Sequence, residues 1–161
     1  MEHPPATRRV LEAARALGLE LEVHLFPEGT KTSADAAAAV GCELSAIAKS
    51  IVFVVDERPV VAMISGDRRV DPDRLADAVG GRSARRATLE EAREATGFAA
   101  GGTPAFGHET PVEVVADRSL QRHVEVWSAA GTPTTVFPIL LSELVRAAGA
   151  RWVDVAAPGH G

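Results

Sequence analysis

The run Ile47-Ala48-Lys49-Ser50-Ile51-Val52-Phe53-Val54-Val55 decides how the chain folds, because it is the most apolar stretch of the 161 residues and yet carries a charge. From Ser50 onward, its length and its β-branched residues predict a buried strand. An unpaired charge is costly to bury. We therefore expect Lys49 either to reach solvent at the start of the strand or to point into a polar cavity.

The scarcity of lysine makes Lys49 a candidate for function. Of the 17 basic residues, 15 are arginine, and the only lysines are Lys31 and Lys49. Lysine is a compact charge whose pKa shifts when it is buried, which suits it to active sites. A lysine that merely snorkels from a strand edge is the alternative, and the pattern alone does not decide between the two.

The order of predicted elements around this strand indicates an α+β fold. Turn residues at 56–59 and an apolar run at 59–65 predict that residues 50–65 form a β-hairpin. The remaining segments divide into helices at 7–17, 32–40, 71–80, 88–97 and 142–149, a helical turn at 43–48, and strands at 19–26, 82–87, 111–117, 124–131, 134–140 and 151–156. Hairpins outnumber β-α-β crossovers. We therefore expect one domain over residues 1–161, with its core at about 7–156, built on a mixed, mostly antiparallel sheet with surrounding helices.

Capping signals mark the starts of four of these helices. Asp71 is expected to cap the helix at 71–80, with Pro72 at its first position. Thr88 and Glu91 have the spacing of a capping box. Thr32 or Ser33 can cap the helix that ends near residue 40, and Ser142 is expected to cap the last helix.

Two segments alternate with period two, as half-buried strands do. In residues 19–26 the alternation places His24 on the polar face, where a solvated histidine is expected. Farther along, it places Val124, Val126 and Ser128 together on one face of a strand.

Charge and composition limit the classes of function. The net charge of −5 argues against a protein that coats nucleic acid by bulk electrostatics, although arginines concentrate in residues 68–93 among interleaved acids. The single cysteine, Cys42, excludes an intrachain disulfide framework. With no apolar run long enough for a membrane span and no secretory signal, the sequence predicts a cytoplasmic protein. His160 falls in a terminal tail and is expected to have no function.

No familiar set of catalytic residues is present in the sequence. There is no zinc-spaced cluster of cysteine and histidine, no HExxH and no G-x-S-x-G, and we expect no metal and no cofactor. The five histidines are scattered and pair with no obvious acid. Ser50, beside Lys49, is the nearest approach to a serine–lysine dyad, but neighbouring strand residues point to opposite faces.

Residues 97–108, GFAAGGTPAFGH, break all periodicity and carry almost no charge. A glycine-rich loop of this kind can point main-chain N–H groups at a ligand, and a purely structural turn is the alternative. Together with Lys49 and small hydroxyls, such a loop could stabilise an oxyanion and hold an anionic group. That chemistry suffices for an activated ester, but it equips the chain poorly for amide or phosphodiester cleavage.

Four motifs then occur in a familiar order. They are T-x-x-D-A-A-x-x-x-G at residues 32–41, A-K-S-hydrophobic at 48–51, S-G-D-R-R-V-D at 65–71 and T-G-F-x-x-G-G-x-P-x-F-G at 96–107. In this order the chain resembles the YbaK/ProX family, also called the prolyl-tRNA synthetase editing-domain family, over about residues 7–156. The A-K-S strand combined with the glycine–proline loop is the more specific part of the resemblance.

The resemblance implies a trans-editing hydrolase that removes a wrong amino acid, cysteine or alanine, from mischarged tRNA for proline. Lys49 matches the essential lysine of the family, and the residues Gly101, Gly102, Pro104 and Gly107 match the loop that lines its pocket. The ester is already activated, so water or a group of the substrate serves as the nucleophile. On this basis Lys49, Gly101 and Gly102 are the expected catalytic groups. The expected pocket walls are Thr32, Ser50, Phe53, Met63, Thr103, Pro104, Phe106 and Gly107.

The expected partner is the 3′-acceptor end of aminoacyl-tRNA, with prolyl-tRNA synthetase as a further candidate and no membrane. Two other functions remain open: a non-catalytic module that binds tRNA or a synthetase, and a general hydrolase of small esters.

Two departures from the family pattern bear on the pocket edges and on the choice of substrate. The chain has Ser142 where the family often has an acidic residue, with Glu143 as a shifted equivalent, and residues 131–138 carry two prolines.

Overall fold

The computed structural model describes residues 3–30 and 32–158. Its helices are α1 (Pro5–Ala16), α2 (Ser33–Val40), α3 (Pro72–Ala78), α4 (Leu89–Thr96) and α5 (Leu141–Ala148), with short 3₁₀ turns at Leu44–Ala46 and Arg118–Arg122. Its strands are β1 (His24–Leu25), β2 (Ala48–Val55), β3 (Arg58–Ser65), β4 (Ala84–Arg86), β5 (Glu113–Asp117), β6 (Glu125–Ala129), β7 (Thr135–Leu140) and β8 (Arg151–Val153). Lys31 and the tail that contains His160 lie outside the described residues.

The predicted hairpin forms the centre of the larger sheet. β2 and β3 pair antiparallel from Ala48↔Ser65 to Val55↔Arg58. The two turn residues, Asp56 and Glu57, both have positive φ (46° and 73°), as in the two-residue turns that match strand twist. Around the hairpin the strand order is β4-β2-β3-β5-β8, in which β3–β5 and β5–β8 are parallel and the other pairs antiparallel.

A second sheet has the order β1-β7-β6 and is antiparallel throughout. A parallel bridge between Ile47 and Trp127 ties it to the start of β2. The α+β class and the mostly antiparallel pairing are therefore confirmed, but the strands divide into two sheets instead of forming one.

Both faces of the hairpin are covered. Val52 belongs to the main core, which also contains Phe98, Phe137 and Leu144 from the loop, the second sheet and α5. The opposite face carries a second cluster, with Phe53, Val55, Val60, Leu75 and Val155 among its members. Burial on both sides explains why β2 is a continuous apolar run and not an alternating one.

Some local predictions were wrong. Only His24–Leu25 of the expected strand 19–26 is paired; Leu19 and Val23 still pack on the main core, so the alternation reflects an extended chain lying on that core without a ladder. Helix α5 begins at Leu141 with Leu140 at its N-cap and no capping side chain, so Ser142 does not cap it.

Two further differences concern the edges of elements. Val124 is 80% exposed because it precedes β6 and does not share the inward face of that strand. The helical turn expected at 43–48 is limited to Leu44–Ala46. By contrast, the capping box of Thr88 and Glu91 is present, and Thr32 caps α2. Of the helices in the described part of the chain, none has the length and apolar character needed to cross a membrane.

Candidate functional site

A cavity of about 320 Å³ opens beside β2, where the two sheets meet. Within the described chain, β4 pairs with β2 only at residues 53–55, and the Val52 carbonyl oxygen accepts from the Ala87 N–H (3.0 Å). Residues 48–51 therefore have no strand partner in the described chain on that side. The cavity occupies this uncovered edge. Its other walls come from the start of α2, the loop between α4 and β5, and β6.

Lys49 is partly buried in the wall of this cavity. It forms no ion pair with any residue in 3–30 or 32–158. Burial lowers the pKa of Lys49 below its usual value, Arg86 lowers the pKa further, and the carboxylate of Asp67 partly offsets these effects. A cation held where its charge is disfavoured is more typical of a functional lysine than of a surface lysine.

The mouth of the cavity is positively charged. Arg86 is exposed there and adds a second cation to Lys49. No carboxylate belongs to the part of the cavity wall that the structure describes. Asp67, nearby, accepts a hydrogen bond from the Arg122 guanidinium (2.7 Å), which lowers the pKa of that carboxyl to about 2. The field at the mouth therefore favours an anionic group such as a phosphate.

The glycine-rich loop is fixed to the core at both ends. Phe98 and Phe106 are buried in the main core, and the Thr96 hydroxyl accepts a hydrogen bond from the Phe98 N–H (3.1 Å). His108 Nε2 donates to the Pro104 carbonyl oxygen (2.8 Å), and burial lowers the pKa of this histidine. With its ends held in this way, the middle of the loop faces the cavity.

The main-chain N–H groups in the middle of the loop differ in their availability. The Gly101 N–H makes no hydrogen bond to any described residue, and Gly101 lines the cavity with a positive φ of 87°. The Gly102 N–H instead donates to the Ala99 carbonyl oxygen (3.1 Å). A Cβ on Gly102 would lie 2.6 Å from the main chain of Thr132, so this glycine permits a close approach between the loop and the turn before β7. The Gly101 N–H is therefore available to donate to an oxyanion. The Gly102 N–H is not, because it already donates to Ala99.

Hydroxyl groups supply most of the remaining polarity of the cavity. Three are engaged: Thr30 donates to Pro133 O (3.0 Å), Thr32 accepts from the Asp35 N–H (3.0 Å), and Thr103 donates to Ala99 O (3.2 Å). The Oγ atoms of Ser50 and Ser128 are buried and find no hydrogen-bond partner among the described residues. Buried polar atoms without partners are uncommon and call for an explanation.

The structure brings five of the predicted site residues to the cavity and leaves the others elsewhere. Those that line it are Lys49, Ser50, Thr32, Gly101 and Thr103. Phe53 packs in the second core cluster, and Met63 lies opposite Ser50 in the β2–β3 register but is fully buried in the main core. Pro104, Phe106 and Gly107 belong to the anchored end of the loop, and Glu143 in α5 does not line the cavity.

Sequence reasoning missed several residues of this cavity. Arg86, Trp127 and Ser128 were not considered as site residues, yet all three line the wall. For Ser128 the sequence did contain a signal, because the period-two alternation placed it on the same face of a strand as Val124 and Val126. Arg86 reaches the cavity because β4 pairs with β2 at Phe53↔Arg86, and no sequence pattern specifies that pairing.

Besides His108, two histidines have partners that the sequence did not reveal. His24 Nε2 lies 2.8 Å from Glu22 Oε2, an acid that no sequence pattern had marked as its partner. His123 Nε2 lies 2.8 Å from Ser45 Oγ, which is also hydrogen-bonded to Glu43. Neither Ser45 nor His123 lines the cavity, and this hydroxyl–imidazole pair therefore lies outside the candidate site.

Known proteins similar to this chain match it over most of its length. A solved structure, provisionally described as a trans-editing enzyme for prolyl tRNA synthetase, is 40% identical, with a TM-score of 0.90, and the match covers 97% of this chain and 99% of that one. The uncharacterised protein YwhH of Bacillus subtilis (strain 168) is 31% identical over 84% of this chain and 87% of its own length.

A proline–tRNA ligase of Geobacter sp. (strain M21) is 33% identical over 61% of this chain, and the match covers only 17% of the ligase. The model of the aminoacyl-tRNA editing domain matches residues 27–147, which include β2, the cavity and the glycine-rich loop. The chain therefore belongs to the aminoacyl-tRNA editing domain family.

Proposed function

We propose that this domain hydrolyses the ester bond of mischarged aminoacyl-tRNA in trans, with cysteinyl- or alanyl-tRNA for proline as its substrates. The observation that carries this proposal is the shared cavity of the Lys49 ammonium and the unengaged Gly101 N–H. Membership of the editing-domain family and the likeness to a trans-editing structure support it. The match covers only 17% of the length of the proline–tRNA ligase. Contact between this chain and prolyl-tRNA synthetase is therefore a part of the proposal.

The positive charge at the mouth of the cavity would orient the substrate. Lys49 and Arg86 would hold the phosphate of the 3′-terminal nucleotide, because two cations attract an anion and the described lining residues include no carboxylate. The aminoacyl group would then enter the cavity between β2 and the loop. At about 320 Å³ the cavity lies near the lower end of the range of ligand pockets, roughly 300–1,000 Å³, which suits a small amino acid.

The Gly101 N–H would donate to the ester carbonyl oxygen as negative charge develops on it. A water oxygen, or in cysteinyl-tRNA the thiol of the substrate, attacks the carbonyl carbon. The bond from that carbon to the ribose oxygen then breaks, and the ribose oxygen takes up a proton. The proton comes from the nucleophile. With water as nucleophile, the products are the free amino acid and uncharged tRNA. With the thiol as nucleophile, uncharged tRNA leaves together with a cyclic thioester of cysteine, which water then opens to the free amino acid.

The test is the release of amino acid from cysteinyl-, alanyl- and prolyl-tRNA for proline. We expect the wild type to release cysteine or alanine, Lys49→Ala to lose most of this activity, and Arg8→Ala, which removes an exposed charge on α1 away from the cavity, to keep it. The proposal is wrong if the wild type releases none of the three, or if Lys49→Ala retains full activity.

One observation favours a second function, that of a non-catalytic module that binds tRNA or a synthetase. The described wall of the cavity contains neither a carboxylate nor an imidazole, so it offers no evident general base. Such a module would bind its partner but show no turnover at high enzyme concentration. Amino-acid methyl esters provide a third arm of the assay, because a general small-ester hydrolase would cleave them as readily as aminoacyl-tRNA.

A further inference from the structure

Two hydroxyls in the wall of the cavity have no structural role that accounts for them. Ser50 Oγ comes from β2 and Ser128 Oγ from β6, so each sheet contributes one. Both oxygens are buried and lack a hydrogen-bond partner among the described residues, and Ser128 as a whole is only 2% exposed. Leaving a buried hydroxyl unpaired destabilises a fold, which suggests that the groups are kept for a ligand.

The engaged hydroxyls of the cavity show the contrast. Those of Thr30, Thr32 and Thr103 each satisfy a main-chain group and hold the surrounding loops in place. Among the hydroxyls of the described cavity wall, buried hydrogen-bonding capacity that is not used for the fold is thus concentrated at Ser50 and Ser128.

The charge of the cavity indicates which ligand atom the two serines suit. Lys49 and Arg86 are cations, and the described lining residues include no carboxylate that would balance a substrate ammonium. A neutral side-chain group of the substrate that both donates and accepts hydrogen bonds is therefore a better partner for the two hydroxyls than a cationic side chain. A small side chain ending in a hydroxyl or a thiol has this property, whereas a methyl group does not.

We propose that Ser128, assisted by Ser50, is a specificity-determining residue that hydrogen-bonds the side-chain hydroxyl or thiol of the aminoacyl group. This inference rests on the proposed deacylase function and adds to it the class of substrate, namely seryl and cysteinyl groups in preference to alanyl. A site built to hydrogen-bond a substrate group disfavours the analogue that lacks it, because its own polar atoms then stay unpaired.

The experiment measures kcat/KM for seryl-, cysteinyl- and alanyl-tRNA for proline. The variants are Ser128→Ala and Ser50→Ala, with Ser142→Ala as the matched control, since Ser142 is exposed in α5. We expect Ser128→Ala to lower the seryl-to-alanyl ratio by about tenfold or more, Ser50→Ala to lower it less, and Ser142→Ala to leave it unchanged. The cysteinyl arm shows whether a thiol, a weaker hydrogen-bonding group, is read in the same way.

Thermal unfolding of the same variants separates this role from a structural one. Because Ser128 Oγ makes no hydrogen bond to the described residues, its removal should leave the Tm unchanged or raise it. Ser128→Cys nearly preserves the volume of the side chain, keeps a weak donor, and should fall between the wild type and Ser128→Ala in the seryl-to-alanyl ratio.

Three outcomes would overturn the inference. A wild type that releases amino acid, with kcat/KM of Ser128→Ala unchanged on all three substrates, removes the specificity role but leaves the deacylase function standing. Equal loss on all three substrates makes Ser128 a general positioning residue. A wild type inactive on every substrate refutes the deacylase function, and the inference fails with it.

Discussion

The ammonium of Lys49 shares its cavity with the Arg86 guanidinium and, over the described part of the chain, has no acid in contact with it. Such a lysine has little to contribute to stability, because its charge is desolvated without a compensating ion pair. In the proposed reaction the phosphate of the substrate supplies the missing counterion. The position of Lys49 therefore favours binding of an anionic ligand, which supplies the counterion that the described residues do not.

The lowered pKa of Lys49 predicts how the proposed activity depends on pH. Lysine loses its proton near pH 10.5 when unperturbed, and burial followed by Arg86 moves the pKa of Lys49 below this value. Because the protonated form is the one that binds phosphate, we expect the enzyme-dependent rate to fall in alkaline solution before pH 10.5 is reached. The measurement is a pH–rate profile from which the uncatalysed hydrolysis of the ester has been subtracted.

A variant tests whether Lys49 is the group that titrates. Arginine stays protonated throughout this range, so the residual activity of Lys49→Arg should lack the alkaline decline. A decline at the same pH in wild type and variant would assign the titration to another group. The same shift affects folding: the wild type should gain stability as the pH rises through the lowered pKa toward 10.5, because the folded state releases its proton first.

Single residues of the site differ in how far the sequence predicts them. Lys49 stands out because a charge interrupts an apolar strand in a chain with almost no lysine. The burial of Ser128 follows from alternation, but its lack of a partner depends on what β2 places around the cavity. Gly102 was expected to donate to the substrate, and only the folded loop shows that its N–H is already bonded to Ala99.

At the scale of the element, α4 is important because it leads directly into the glycine-rich loop. Its N-terminus is a complete capping box, in which the Thr88 hydroxyl accepts the Glu91 N–H and the Glu91 carboxylate accepts the Thr88 N–H. Glu91 also accepts two hydrogen bonds from Arg85, and together these lower the pKa of Glu91 to about 2. The helix start is therefore linked to the edge strand β4.

Removing this cap should destabilise the domain. Thr88→Ala takes away one of the two reciprocal hydrogen bonds, and we expect a loss of about 1 kcal/mol in the free energy of unfolding. Denaturant titration measures it. The control is again Ser142→Ala, because Ser142 lies in the first turn of α5 and its side chain caps nothing, so that variant should be neutral. Equal effects of the two substitutions would show that the capping box does not stabilise α4.

Elements that carry their own end signals were predicted well, and those that depend on distant partners were not. The capping box predicted α4, and the apolar runs on either side of a tight turn predicted the hairpin. Residues 19–26 alternate as a strand does, yet only His24 and Leu25 pair with β7, and the Phe26 N–H adds one hydrogen bond to the Thr134 carbonyl oxygen beyond it. For the same reason the separation into two sheets was not predictable from patterns within each strand.

At the scale of the whole molecule, the net charge opposes binding of the proposed substrate, whereas the charge of the cavity favours it. The chain carries a net charge of −5, whereas the described cavity wall carries the cations Lys49 and Arg86 and no carboxylate. The net charge therefore disfavours binding of a polyanion such as tRNA, whereas the two cations of the described cavity wall favour it. We expect the overall affinity to be modest and to rest on few phosphate contacts.

The dependence of KM on salt tests this expectation. Each phosphate contact contributes to the slope of log affinity against log salt concentration, so the wild type should show a shallow slope. Arg86→Ala should raise KM for aminoacyl-tRNA at low salt and reduce the magnitude of the slope by about one, because a single contact is lost. Arg8→Ala, which removes an exposed charge on α1, should change the slope little. A steep wild-type slope, or equal effects of the two arginine variants, would mean that tRNA binds over a broad basic surface and not at the mouth of the cavity.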